Sequence, residues 1–126
     1  MSEIRPNRDQ FVELMNTPDD GPVVMLNLLK FKPREGAGEY NKYGDAVVPM
    51  VEARGGKVLW MGKVDQTLIG DIDADGWDAI ALVQYPSRKA FVEMTTSKEY
   101  DAAHEHRDSG LERTVLLACT RRGGVV

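Results

Sequence analysis

Val23-Val24-Met25-Leu26-Asn27-Leu28-Leu29-Lys30-Phe31 decides the fold. Gly21 and Pro22 precede this run, and Pro33 with the glycines of Arg34-Glu35-Gly36-Ala37-Gly38-Glu39 closes it. Nine residues between such breakers suit a strand better than a helix. Alternate residues of a strand face opposite ways. One parity carries Val24, Leu26, Leu28 and Lys30, and the other Val23, Met25, Asn27, Leu29 and Phe31. Both are mainly apolar, so the sheet built on this strand needs cover on both faces.

Upstream, Asn7 can cap a short helix with Gln10 completing a capping box, and Phe11, Val12, Leu14 and Met15 supply its apolar face. Thr17-Pro18-Asp19-Asp20-Gly21-Pro22 ends it. Downstream, Tyr40, Tyr43, Val47, Met50 and Val51 have helical spacing over residues 39–54, with Pro49 as a kink or break and Gly55-Gly56 as the stop. Residues 57–69 read as a long strand in which Gly62 permits a bend. The turn 70–76 spaces its acids like a calcium loop but lacks the downstream glutamate, so it reads as a solvated loop. A strand follows over 77–85. Ser87 then caps a helix carrying Ala90, Phe91 and Met94, and Thr96-Ser97-Lys98-Glu99 restarts the helix before Tyr100. The last strand spans 111–121, and a short frayed tail is expected beyond it.

The order α-β-α-β-β-α-β gives an α+β fold, a ferredoxin-like βαββαβ unit preceded by a short extra N-terminal helix. Residues 1–21 form the extension and 22–126 the domain. A four-stranded antiparallel sheet with its helices on one face leaves the other face bare. A two-fold related copy would cover it and close a barrel, so the expected working object is a homodimer joined through the open sheet face.

Composition sets the outer limits. At 126 residues and 14.0 kDa the chain is one domain. A net charge of -4 lacks the basic footprint of nucleic-acid binding. The N-terminus has no apolar signal segment and no stretch is long enough to span a membrane, so a cytoplasmic protein without membrane partners is expected. Cys119 lies in the apolar run Val115-Leu116-Leu117-Ala118-Cys119 and reads as a buried, inert thiol. There is no zinc-ligand spacing, no phosphate-binding glycine loop and no nucleophile elbow. No metal or cofactor is expected.

Several pieces together resemble a known family. They are Asn27-Leu28-Leu29-Lys30-Phe31-Lys32, Tyr40-x-x-Tyr43 followed by Val48-Pro49, and Gly55-Gly56-Lys57-Val58-Leu59. Pro86-Ser87, Ser97-x-Glu99-Tyr100 and His106-Arg107 complete the set. Over residues 22–121 the chain resembles the DUF1330 group of the dimeric α/β-barrel superfamily. The resemblance implies a dimer whose sheets enclose a small-molecule pocket on each protomer. Other superfamily members are monooxygenases without cofactors, muconolactone-type isomerases, dehalogenation-associated proteins and heme-degrading enzymes, so fold alone names no substrate.

The candidate catalytic residues are Asn27, Tyr43, His106 and Arg107. Asn27 is the polar exception in its strand: it can orient a substrate carbonyl or an oxygen species, or it can be a structural amide satisfied by a neighbour. Tyr43, with Tyr40, either packs or donates a phenolic hydrogen bond. A histidine near neutral pH moves protons, and an arginine grips a carboxylate. Both could instead complement the helix dipole. Helical spacing aligns His104 with Tyr100 and Arg107, whereas the family motif favours His106. Trp60 and Trp77 read as strand residues for packing or for an apolar cavity, and Lys30 as a surface lysine. Asp45, Asp71, Asp73, Asp75 and Asp78 are acids without a visible pairing.

Three functions fit. One is a cofactor-independent enzyme, monooxygenase- or isomerase-like, acting on a small carbonyl or carboxylate compound. Another is a non-catalytic ligand-binding or accessory dimer. The last is a heme-binding or heme-degrading protein using Asn27, Trp60 and a histidine.

Overall fold

A computed structural model describes residues 5–17, 21–70 and 76–124. The elements run α1 (Arg8–Asn16), β1 (Val23–Phe31), α2 (Gly36–Ala53), β2 (Lys57–Lys63), β3 (Ala79–Tyr85), α3 (Arg88–Thr95), α4 (Lys98–Gly110) and β4 (Leu111–Cys119). The strands form one antiparallel sheet in the order β2-β3-β1-β4, the ferredoxin-like arrangement. Taken alone, the sheet is open.

Local chemistry sets most boundaries. Asn7 and Gln10 make the reciprocal capping box at α1, and Ser87 and Ser97 accept from Ala90 and Tyr100 N–H at the starts of α3 and α4. Helix α2 starts before residue 39 and runs through Pro49, which forgoes one backbone bond without ending it. Strand β2 stops at Lys63 rather than extending to 69 because its partner β3 begins only at Ala79. Asp78 is already turning: its N–H bonds Leu29 O, and its carboxylate accepts from Phe31 N–H at 2.9 Å and pairs with Lys30 at 3.4 Å. Trp77 therefore precedes β3 instead of lying in it, and Arg113 stacks 4.2 Å from its ring centre. The acids Asp71, Asp73 and Asp75 lie outside the described residues, as does the end of the chain at Val125.

Register divides the sheet into two unlike faces. Val23, Met25, Asn27 and Leu29 of β1 are buried under the helices, together with Ala81 and Tyr85 of β3. The opposite parity aligns Leu26 with Leu82 and Leu117, Leu28 with Ile80 and Val115, and Val24 with Cys119. These side chains are only half-buried or exposed. Cys119 is thus not the buried thiol its apolar run suggested: register puts it on the open face of edge strand β4. Trp60 pairs with Leu82 and shares this open face, 54% exposed, its indole lying where a Cβ at Gly62 would sit.

Helices α2 and α4 pack closely because two glycines let them. A Cβ on Gly110 would stand 2.7 Å from Gly36 O, and one on Gly36 would stand 2.7 Å from Gly110 O. This approach brings the tyrosines of α2 against the inner face of α4.

Candidate functional site

Between the helices and the covered face of the sheet lies a cavity of about 320 Å³. That is near the small end of the range for ligand sites, roughly 300–1,000 Å³. Met25, Val47, Val83, Phe91, Met94 and Leu116 make its apolar wall. Asn27, Tyr43, Tyr100, His104 and Arg107 bring polar groups to it.

Asn27 enters from β1. Its Nδ2 donates to Ala81 O at 3.2 Å and to Met25 O at 3.4 Å. Two carbonyl partners fix the amide orientation. No hydrogen bond reaches Oδ1 among the described residues. What Asn27 offers the cavity is therefore an acceptor, which matches a hydroxyl or enol rather than the carbonyl expected from sequence.

The other four residues come from α2 and α4. Tyr100, His104 and Arg107 stand at i, i+4 and i+7 and share the inward side of α4. The Tyr43 and Tyr100 hydroxyls are 2.9 Å apart. Either can donate to the other, leaving one O–H of the pair for a ligand. Ring contacts of 5.3, 6.0 and 5.7 Å link Tyr40, Tyr43, Tyr100 and His104 in a row. Arg107 is buried, its guanidinium carbon 5.8 Å from the Tyr43 ring centre. Burial pushes the phenols of Tyr40, Tyr43 and Tyr85 above their usual range, so they act as neutral donors and not as bases.

The two histidines have different settings. His104 is 2% exposed and lines the cavity. Burial, followed by the nearby Arg5 and Arg107 charges, pulls its pKa below the ordinary value, with Asp108 opposing them. Its Nδ1 lies 3.3 Å from Asp108 Oδ2 but off the line of a hydrogen bond. His106 is not among the cavity residues. It stands two residues further round the helix, its side chain 41% exposed, with Nδ1 3.2 Å from Glu39 Oε1. Glu39 also pairs with Lys42 at 2.9 Å, and these partners hold its carboxyl below the usual range. The inward histidine is thus His104, as the spacing indicated and contrary to the motif-based preference for His106.

Of the sequence candidates, Asn27, Tyr43 and Arg107 reach the cavity. Asp45 is exposed on α2, while Asp78 clamps the end of β1. Trp60 is on the opposite face of the sheet from Asn27, so the strand asparagine, tryptophan and histidine of the heme reading do not share this cavity. Arg5, in the extension before α1, lines it without any signal in the local sequence. Among the described residues, no group of three or more His, Cys, Asp or Glu side chains comes together, and no helix is long and apolar enough to cross a membrane.

Topology and cavity together define a ferredoxin-like α+β protein with a partly open cavity between sheet and helices. The chain belongs to the DUF1330 family, a domain of unknown function, whose profile matches residues 30–119. It is similar to the crystal structure of RPA0582, a protein of unknown function from Rhodopseudomonas palustris. The two are 33% identical, with 98% of this chain and 100% of that chain covered and a TM-score of 0.90. Coverage this wide takes in α1. More distant likenesses concern the fold alone. A DABB family protein with a ferredoxin-like fold from Mesorhizobium loti is 13% identical, covers 82% of this chain and 99% of its own, and has a TM-score of 0.54. Hydroxynitrile lyase from Passiflora edulis is 12% identical, with 86% and 100% covered and a TM-score of 0.63. No functionally curated protein matches the chain.

Proposed function

We propose that this protein is a cofactor-independent enzyme that moves a proton next to the carbonyl of a small carboxylate compound. The observation that carries this reading is the convergence of Asn27, Tyr43, His104 and Arg107 on one mainly apolar cavity. Arg107 would hold the carboxylate, as a guanidinium does best with two parallel hydrogen bonds. The remaining hydroxyl of the Tyr43–Tyr100 pair would donate to the carbonyl oxygen. Neutral His104 would take the adjacent proton and pass it to the oxygen of the enolate so formed, and Asn27 Oδ1 would accept from the resulting enol hydroxyl. Removal of such a proton starts isomerase-type reactions and also primes carbon for reaction with oxygen.

Phenylpyruvate is a suitable probe because it joins a carboxylate, an enolisable carbonyl and an apolar ring. In deuterated water the protein should speed deuterium uptake at its methylene carbon, and His104→Gln should abolish that acceleration. Asn27→Ala and Arg107→Lys should each weaken binding, the latter about tenfold from loss of the fork geometry. Binding with no acceleration would favour a non-catalytic ligand carrier. Equal affinity in every variant would place the ligand elsewhere and end this reading.

The working unit is proposed to be a homodimer through the open face. Leu26, Leu28, Ile80, Leu82 and Leu117 share that face by register and are only half-buried or exposed in the single chain. Sedimentation should give twice the chain mass, and Leu26→Lys should return the monomer. A monomeric parent protein would exclude the dimer.

A further inference from the structure

We propose that Arg5 caps the Nε2 lone pair of His104, and that an anionic ligand entering the cavity draws Arg5 away and exposes that nitrogen. This rests on the reading of the cavity as a carboxylate site, and it assigns a gate to it.

Arg5 Nε donates to His104 Nε2 at 3.4 Å across a separation of 99 residues. An N–H donor needs a lone pair on Nε2, so the proton of the neutral ring sits on Nδ1, beside Asp108. That tautomer is the one a base requires: Nε2 is ready to accept, yet another group already occupies it. At 3.4 Å the bond is long and readily exchanged. The other end of the guanidinium is 3.9 Å from the Asp101 carboxylate, with both side chains more than half exposed, which holds it weakly.

The described lining residues include the guanidiniums of Arg5 and Arg107, and Arg5 is the one paired with the Asp101 carboxylate. Groups facing His104 come from three places. Arg107, Asp108 and the Tyr100 phenol lie on α4, and Arg5 lies in the extension. Helix α2 sends the phenols Tyr40 and Tyr43 to the cavity, while its Glu39 and Lys42 are engaged at His106. An arriving carboxylate therefore meets two guanidiniums, of which only Arg5 is on a loosely held segment.

The anchoring of that segment allows movement. Helix α1 has no buried residue, and Phe11 and Leu14 only lean on the core. A second cavity of about 680 Å³ lies between α1, α3 and β4. Arg5, Pro6 and Phe11 line both spaces, so the segment can shift without displacing the core.

The test starts without ligand. His104 and His106 are the only histidines, so His106→Gln leaves a single imidazole signal. In that background Arg5→Ala should raise the titration midpoint of His104. It should also speed carbethoxylation by diethyl pyrocarbonate about fivefold, the change that loss of one ordinary hydrogen bond makes. Thermal melts would confirm that the variant is folded. Equal midpoints and equal rates in the two proteins would overturn the cap. Saturating phenylpyruvate should then shift the Nε2 resonance of the Arg5 protein away from its capped position, with a smaller shift in Arg5→Ala. Phenylpyruvate binding that leaves the capped resonance in place would overturn the release. If phenylpyruvate binds neither protein, the carboxylate-site reading and the release fall together, while the ligand-free comparison still decides the cap.

Discussion

The two faces of the sheet are built from the same strands and have nearly the same apolar content, yet they have different fates. On the covered face, Val23, Met25 and Leu29 are at most 3% exposed, and Asn27 is the one polar member of its row in β1. On the open face, Leu117 is 48% exposed and Trp60 54%. Burial here follows what lies above each face rather than the hydrophobicity of the strand. Chemistry gathers on the covered face because α2 and α4 bring their polar side chains to an apolar floor, where charges and hydrogen bonds are strengthened by the exclusion of water.

The largest contrast should come from truncating each face in turn. Leu29→Ala should lower the unfolding free energy by about 2–5 kcal/mol, because a fully buried side chain leaves a cavity. Leu117→Ala should cost under about 1 kcal/mol in melts dilute enough to dissociate the proposed dimer, and more as protein concentration rises and a second copy covers the open face. A Leu117 loss that stays small at every concentration would count against a dimer through this face.

Gly110→Ala probes how the covered face receives its helices. Its Cβ meets Gly36 O at 2.7 Å, so α4 must move off α2, at about 1–3 kcal/mol. Tyrosine fluorescence near the Tyr43–Tyr100 pair should change with it. An unchanged melt would show that the helices can slide apart freely.

A smaller effect separates the inner and outer histidines. The folded-state pKa of His104 is depressed below the ordinary value of 6.5. As pH falls through that value, the unfolded chain takes the proton first, so stability declines until the folded-state pKa is reached. His104→Gln should flatten this part of the stability–pH curve, measured as urea midpoints between pH 7 and 5. His106→Ala should lower the urea midpoint least, because it removes only a half-exposed contact with Glu39. A steep curve that survives in His104→Gln would overturn the inward assignment of His104.

Much of the fold was legible because local chemistry punctuates it. Asn7, Ser87 and Ser97 cap helices where the sequence places caps, and the breakers around Val23–Phe31 bound β1. The errors fell where a neighbour decides. The pairing fades past Val64, whose N–H still bonds Asp78 O, and residues 65–69 and Trp77 lie outside the strands although their composition suits one, with the Asp78 N–H turned to Leu29 and its carboxylate to Phe31. Cys119 has an apolar context but edge-strand register. For the site, the i, i+4, i+7 spacing of Tyr100, His104 and Arg107 was visible, and geometry agrees with it. Arg5 was not visible, because its contact with His104 spans 99 residues.

The sequence alone determined the element order, the helix caps and a central strand apolar on both faces, and with them the ferredoxin-like topology. These follow from periodicity and capping, which act over a few residues. Tertiary structure alone decided which parity of that strand is covered, which histidine turns inward, which end of the Asn27 amide is left for a ligand, and that the N-terminal segment reaches the cavity. Each of these depends on register, helix rotation or a contact between distant segments, and local sequence does not encode such relations separately from the packed whole.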